Sequence, residues 1–245
     1  MDECAAVLAG PTPVALLPVG STEPHGPHLP LETDALLARE CMTRAARALR
    51  EAGVSAVAAP AISYGVTRYA RAFSGAVSVD EDALVAYLAS VCEGLRAAGF
   101  ALVCVGNHHL EPEHVTAVAA GAQRAHERAG GVCFANQLSR RWGRTLSNEF
   151  KRGACHAGSY ESSLVLAARP ALVREDLMGA LPDVPVSLSA MIREGKQDFL
   201  SMGLTLAYAG EPARASRTEG EALYAQLATM VVTECLEALA AVPRS

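Results

Sequence analysis

Side chains able to hold metal ions or move protons collect in three short stretches of this 245-residue chain. The densest is Gly20-Ser-Thr-Glu-Pro-His-Gly-Pro-His-Leu-Pro-Leu-Glu-Thr-Asp34, with two histidines and three acids between positions 23 and 34. In an extended segment residues two apart point the same way, so Glu23 and His25 can converge on one point. Pro24, Pro27 and Pro30 stiffen the stretch and lower the entropy cost of holding that geometry. Asp34 returns a second carboxylate from the start of the following helix. One imidazole with two carboxylates suits Zn or Mn, and a carboxylate can bridge two ions. A polar, proline-rich surface loop with capping acids is the competing reading, and the stretch alone does not separate the two.

The second stretch, Val105-Gly-Asn-His-His-Leu-Glu-Pro-Glu-His114, holds more donors than one site can use. His109 and Glu111 repeat the two-residue spacing ahead of a helix, whereas Glu113 and His114, past Pro112, read as solvated helix positions. In the third, Cys155-His-Ala-Gly-Ser-Tyr-Glu-Ser-Ser163, His156 and Glu161 flank a glycine turn. Taken singly, these two fit a hydrogen-bonded loop histidine and an exposed first-turn acid equally well.

Short apolar runs alternating with longer amphipathic ones must position these side chains, and that alternation predicts βαβ units with a mostly parallel sheet. Strands are expected at Val14–Val19, 54–59, 100–105 and Val132–Ala135, with helices over 34–52, 80–98, Pro112–Ala129, Ser159–Ala168 and 219–241. Thr33 reads as the cap of the first of these helices and Gly53 as its stop. The polar stretch 140–152, with the only tryptophan, Trp142, reads as a loop or lid, and the segment up to about Ser201 is ambiguous. Two of the active stretches directly follow predicted strands, the edge at which open α/β sheets bind ligands.

Composition narrows the classes. With 51% hydrophobic and 19% charged residues, the chain can bury enough surface to offset its ordering entropy, which excludes intrinsic disorder. A net charge of -5 gives no support for a nucleic-acid partner. The longest uncharged run, Cys4 to Thr22, is broken by Pro11, Pro13 and Pro18, and Asp2 and Glu3 stand where a secretory signal needs basic residues. No membrane association is expected. Seven scattered cysteines without a C-x-x-C pair read as free thiols in a reducing compartment, so the expected location is the cytoplasm.

Four segments in order resemble the creatininase family of metal-dependent amidohydrolases: L-P-V-G-S-T-E-P-H-G-P-H-L-P-L-E-T-D through Asp34, Phe73-Ser-Gly-Ala-Val-Ser, His156-Ala-Gly-Ser-Tyr-Glu161-Ser-Ser and Gly210-Glu-Pro-Ala-Arg-Ala-Ser. The resemblance runs from about Val14 to the terminal helix. It implies one α/β domain over residues 1–245, a three-layer αβα sandwich around a mostly parallel sheet. It also implies two divalent ions per subunit, Zn or Mn with Fe as a further option, and a homohexamer. By matching positions, Glu23, His25, Asp34, His109 and Glu161 would be metal ligands, with Asp34 bridging, and Glu111 and His156 would be catalytic.

The middle motif departs from the family's N-G-H-G-G-N, reading G-N-His108-His109-Leu-Glu111, so a one-residue shift would choose His108 instead. Glu111 aligns with an acid of creatininase itself, leaving it open as base or ligand. The family's E-H pair before the F-P-G segment is replaced by Tyr69 and Ala70, which points to a different substrate. The activity implied is hydrolysis of a C–N bond in a small cyclic or linear amide. Two ions would lower the pKa of a water between them towards ~7. Glu111 would then take the water's proton, and His156 would protonate the departing nitrogen.

Two relatives offer alternatives within the family: a formamide deformylase, for which Arg68 and Arg71 would bind phosphate, and a small-peptide peptidase. A non-catalytic metal-binding or regulatory protein is the alternative of another class. No G-x-G-x-x-G or P-loop follows the first strand, which argues against a nucleotide-dependent enzyme.

Overall fold

The computed structural model describes residues 2–241. Strands β1 (Val14–Val19) and β3 (Leu102–Asn107) are buried at every position. Alternate side chains explain why. Val14, Leu16, Leu102 and Cys104 feed one apolar cluster, while Ala15, Leu17, Val19, Val103 and Val105 feed another on the opposite face. A strand covered on both faces has no polar side to keep, so it reads as a continuous apolar run. With β2 (Ala56–Ala58) and β4 (Val132–Ala135) they form a parallel sheet in the order β2-β1-β3-β4.

Helices α2 (Thr33–Glu51), α7 (Ser159–Ala168) and α10 (Arg217–Ala241) cover the first face, and α3 (Glu81–Ala97) with α4 (Pro112–Ala129) the second. This is the expected three-layer αβα arrangement. The first face of α2 shows the cause in its own sequence: Leu37, Cys41, Ala45 and Leu49 recur at helical spacing and all are buried. A short α1 (Asp2–Leu8) precedes the sheet. Beyond β4 come α5 (Arg140–Gly143), α6 (Asn148–Arg152), α8 (Glu175–Ala180) and α9 (Leu188–Arg193). A third apolar cluster joins Tyr69 and Ala70 to Phe199, Met202, Leu204 and Ala207 above the sheet edge.

Several expected boundaries move. Glu32, not Thr33, is the cap of α2; the Thr33 hydroxyl donates instead to the Pro30 carbonyl at 2.6 Å. The second strand shrinks to three residues because Val54 is still tied back to Leu49. The third shifts forward, its pairing with β1 running on to Asn107 opposite Val19. The stretch 140–152 contains two short helices, with the Trp142 indole donating to Glu234 at 2.6 Å on α10. By length and composition α10 is apolar enough to cross a membrane. Its Leu223, Tyr224, Leu227, Met230 and Val231 are instead buried in the first cluster, so that apolarity serves the core.

Because the chain visits β2 on one side of β1 and then β3 on the other, the segments leaving β1 and β3 diverge to opposite layers. The crevice between them is where such sheets bind ligands. Gly20 lets the end of β1 touch the first turn of α2: a Cβ there would stand 2.6 Å from the Asp34 carbonyl carbon and 2.8 Å from Ala35 Cα. We expect Gly20→Ala to lower stability by about 1–3 kcal/mol through forced separation of these elements. Gly179→Ala, at a helical position with open space around it, should be neutral or mildly stabilising. Urea unfolding of the two variants checks both.

Candidate metal centre

Four segments deliver buried donors to that crevice. The proline-rich segment after β1 supplies Glu23 and His25, the first turn of α2 supplies Asp34, the end of β3 leads to His109, and the first turn of α7 supplies Glu161. All five are at most 4% exposed. Donor atoms of Glu23, Asp34 and His109 lie within 4.8 Å of one another, and so do those of His25, Asp34 and Glu161. Glu23, His25 and His156 form a third such set, and Asp34 belongs to the first two. Its Oδ1 is 3.1 Å from His25 Nε2 and its Oδ2 is 3.0 Å from His109 Nδ1.

The outer edges of the two imidazoles are fixed by backbone carbonyls. His25 Nδ1 lies 3.0 Å from the Glu23 carbonyl, and His109 Nε2 lies 2.8 Å from that of Val66. With the ring proton donated outward, each inner nitrogen turns a lone pair toward carboxylate oxygens, the arrangement that prepares an imidazole for a metal. Glu23 Oε2 and Asp34 Oδ2 are buried without a hydrogen-bond partner; the 3.0 Å approach of His109 Nδ1 to Asp34 lacks hydrogen-bond geometry. Buried acceptors facing buried acceptors require cations between them. The donor set therefore fits divalent ions that accept mixed nitrogen and oxygen ligands, Zn and Mn among them.

The electrostatics carry the same demand. Burial disfavours a charged His25, yet Asp34 and then Glu161 outweigh it and push its pKa up to about 10. His109 is raised for the same reason, by Glu23 and Asp34 against burial. Burial lifts Glu161 to about 8. Asp34 stays below the usual carboxylate range because, despite burial, His25 and His109 face it. The cluster thus holds extra protons wherever no other positive charge balances it.

Of the two adjacent histidines, His109 enters the cluster. His108 is buried apart from it, its Nδ1 without a partner, and burial lowers its pKa to about 4. Glu111 sits by the other edge of His109, Oε2 3.9 Å from Nε2, and accepts the amide protons of Arg68 (2.9 Å to each oxygen) and Tyr69 (3.2 Å). Burial raises its pKa to about 7. His156 stacks between His25 and Phe199, at ring separations of 4.5 and 4.4 Å. Its Nε2 is 3.0 Å from the Pro24 carbonyl and its Nδ1 3.7 Å from Glu23 Oε1. Burial, with His25 adding, lowers it to about 4.

His114, read from sequence as solvated, is fully buried. Its Nδ1 accepts the Val66 amide proton at 3.1 Å, and its Nε2 is 3.0 Å from Asn107 Oδ1, whose amide also brackets the His109 backbone. Glu113 is half-buried rather than solvated. The helix face that carries them turns toward the Val66 segment, a long-range contact that helical periodicity does not reveal.

Sequence reasoning missed Glu149. From α6 it accepts the amide protons of Tyr160 (2.7 Å) and Glu211 (2.8 Å), supplying the cap that Gly158 cannot give to α7. Gly158 is needed for this approach, since a Cβ there would lie 2.6 Å from both carboxylate oxygens. Glu161 reaches back to the Ala157 amide at 2.6 Å, across a residue held at φ 52°. An acid in a short polar segment looks like any solvated glutamate in one sequence.

Above the donors opens a cavity of about 440 Å³, walled by Tyr69, Leu110, Leu138, Phe150, Phe199 and Met202, with Glu23, Asp34, His109 and Glu161 in its floor. Fold and floor together define a metal-dependent α/β hydrolase. The family model Creatininase, described as creatinine amidohydrolase, matches residues 1–235, and the chain belongs to that family, whose members act on amide bonds. It is 30% identical over 241 residues to the mycofactocin precursor peptide peptidase of Mycobacterium tuberculosis (strain CDC 1551 / Oshkosh), covering 95% of this chain and 87% of that one. The peptidase of the same name from Mycobacterium ulcerans (strain Agy99) is 30% identical over 234 residues, covering 93% and 85%. Among solved structures, a creatininase mutant complexed with creatine superposes with a TM-score of 0.74 at 20% identity, covering 96% of this chain and 94% of that chain. A manganese form of creatininase gives 0.71 at 20%, covering 96% and 95%.

Removing the Glu149 carboxylate leaves two amide protons unpaired, so Glu149→Ala should cost on the order of 3 kcal/mol. For a chain of this size that is a fall in Tm of roughly 6–12 °C. Glu149→Gln keeps one acceptor and turns a donor toward the other amide, so its Tm should fall between the two. Calorimetry on the three proteins reads the order.

Proposed function

We propose that this enzyme hydrolyses an amide bond in a short peptide or peptide-like substrate, with two divalent ions, Zn or Mn, shared across Asp34. One observation carries the reading: the two oxygens of Asp34 face two different imidazoles, each with its own further carboxylate. Glu23, Asp34 and His109 would hold one ion and His25, Asp34 and Glu161 the other. Ions bound there supply Lewis acidity toward a carbonyl and make water a stronger acid.

The remaining roles fall to the chain's own side chains. Glu111 is raised to about 7 and lines the cavity, a proton acceptor matched to neutral pH. Oε1, which accepts only from the Arg68 amide, keeps a lone pair free. With Nε2 donating to the Pro24 carbonyl and a pKa lowered to about 4, His156 keeps a proton-free Nδ1 toward the floor, so the proton lost by the attacking water would pass from Glu111 to Nδ1 and on to the departing nitrogen. One proton leaves the attacking water and one arrives on the amine, which closes the count.

A peptide is favoured over a small cyclic amide by the two peptidase relatives and by the size and apolar walls of the cavity. The deformylase alternative relied on Arg68 and Arg71. These pair with Glu81 at 2.6 Å and Asp198 at 3.6 Å, and neither lines the cavity. One domain over the whole chain and a homohexamer belong to the same proposal, supported by the family alone, and a cytoplasmic location rests on the scattered cysteines without a C-x-x-C pair.

Chelation should abolish amide hydrolysis and added Zn or Mn restore it. Glu111→Gln should lower kcat by about 10²–10⁴-fold with metal content unchanged, as a base and not a ligand. His156→Gln should lower kcat on an alkyl amide far more than on an anilide with a better leaving group. Equal losses on both substrates would remove the acid role from His156, and metal loss in Glu111→Gln would make that residue a ligand.

A further inference from the structure

Two cations stand in the wall of the cavity, and the mechanism uses neither. Lys151 lies in the last turn of α6, and Arg193 is the last residue of α9. A backbone bond joins the ends of the two short helices: the Leu188 amide donates to the Gly153 carbonyl at 2.8 Å, just past the end of α6. Among the described residues neither cation has a carboxylate partner. Arg193 donates Nε to the Ser189 carbonyl at 3.0 Å, which leaves its terminal nitrogens free. Outside the cavity Arg152 pairs with Glu211 at 3.6 Å and Arg71 with Asp198, whereas Lys196, like the two cavity cations, has no carboxylate partner among the described residues. The rest of that wall is apolar, from Phe150, Leu188 and Ile192.

We propose that Lys151 and Arg193 form a specificity site for a carboxylate of the substrate, so that the preferred substrate is a short peptide with a bulky apolar residue beside the scissile amide and an anionic group held at the cavity wall. This rests on the peptide-hydrolase reading above. An unpaired cation beside apolar surface gains a charge-assisted hydrogen bond only from an incoming anion. Both side chains are exposed in the unliganded protein, so salt screens their attraction, and each is worth roughly tenfold in affinity. A free C-terminal carboxylate and an acidic side chain share this chemistry.

The test uses metal-loaded full-length enzyme and one apolar peptide made in four forms: free C-terminus, C-terminal carboxamide, and an internal Glu or Gln with the C-terminus amidated. One acidic form should exceed its neutral partner at least tenfold in kcat/KM, mainly through KM, and which pair differs identifies the source of the carboxylate. In Lys151→Ala/Arg193→Ala that ratio should fall toward one, and added salt should shrink it in the wild type. Equal cleavage of acidic and neutral forms, or a ratio the double variant leaves intact, overturns the proposal. If no peptide is cleaved, the peptide-hydrolase reading fails on its own, and calorimetric binding of the same peptides decides the anion site: tighter binding of an acidic form, lost in the double variant, sustains it, and equal binding removes it.

Discussion

Three carboxylates buried in one crevice, with two imidazoles whose outer nitrogens are already committed, impose the constraint on which the rest of the structure depends. Such a cluster is stable only with compensating positive charge, because buried unpaired charge costs several kcal/mol per ion. Protons can supply it, and the raised His25, His109 and Glu161 describe that state. Divalent ions would supply it by taking the imidazole lone pairs in place of protons, so metal binding at such a site releases protons and is linked to folding.

Holding five donors at this spacing takes a second tier of groups that lie outside the cluster. Val66 is central to it: its carbonyl orients His109 and its amide is received by His114, which in turn meets Asn107 at the end of β3. Glu149 does the corresponding work for α7, fixing the first turn that carries Glu161 and tying it to the segment at Glu211. Gly20 brings β1 against Asp34. Each candidate donor thus sits on an element held by such a contact, the kind of support that keeps a metal site near its working geometry.

Much of this was legible in the sequence where the cause is local. The buried runs of β1 and β3, the proline opening α4 and the bounds of α7 follow from short-range pattern, and the E-P-H spacing placed Glu23 and His25 together. What was not legible depends on contacts across the fold. His109 is set apart from His108 by facing Val66, 43 residues away, and Glu23 and Asp34 across the crevice. His114 is buried by that same segment. Trp142 reads as part of a lid until Glu234 on α10 receives its indole proton. Glu149 carries no local mark of its task, since its partners lie 11 and 62 residues further on. Helices α6 and α9 are too short for periodicity to register, yet Phe150, Leu188 and Ile192 on them wall the cavity.

The most direct test of the central claim is anomalous diffraction at the manganese edge from crystals of Mn-loaded protein. The account predicts two peaks flanking Asp34, one in ligand contact with Glu23 and His109 and the other with His25 and Glu161. A single peak, or peaks that do not share Asp34, would contradict it.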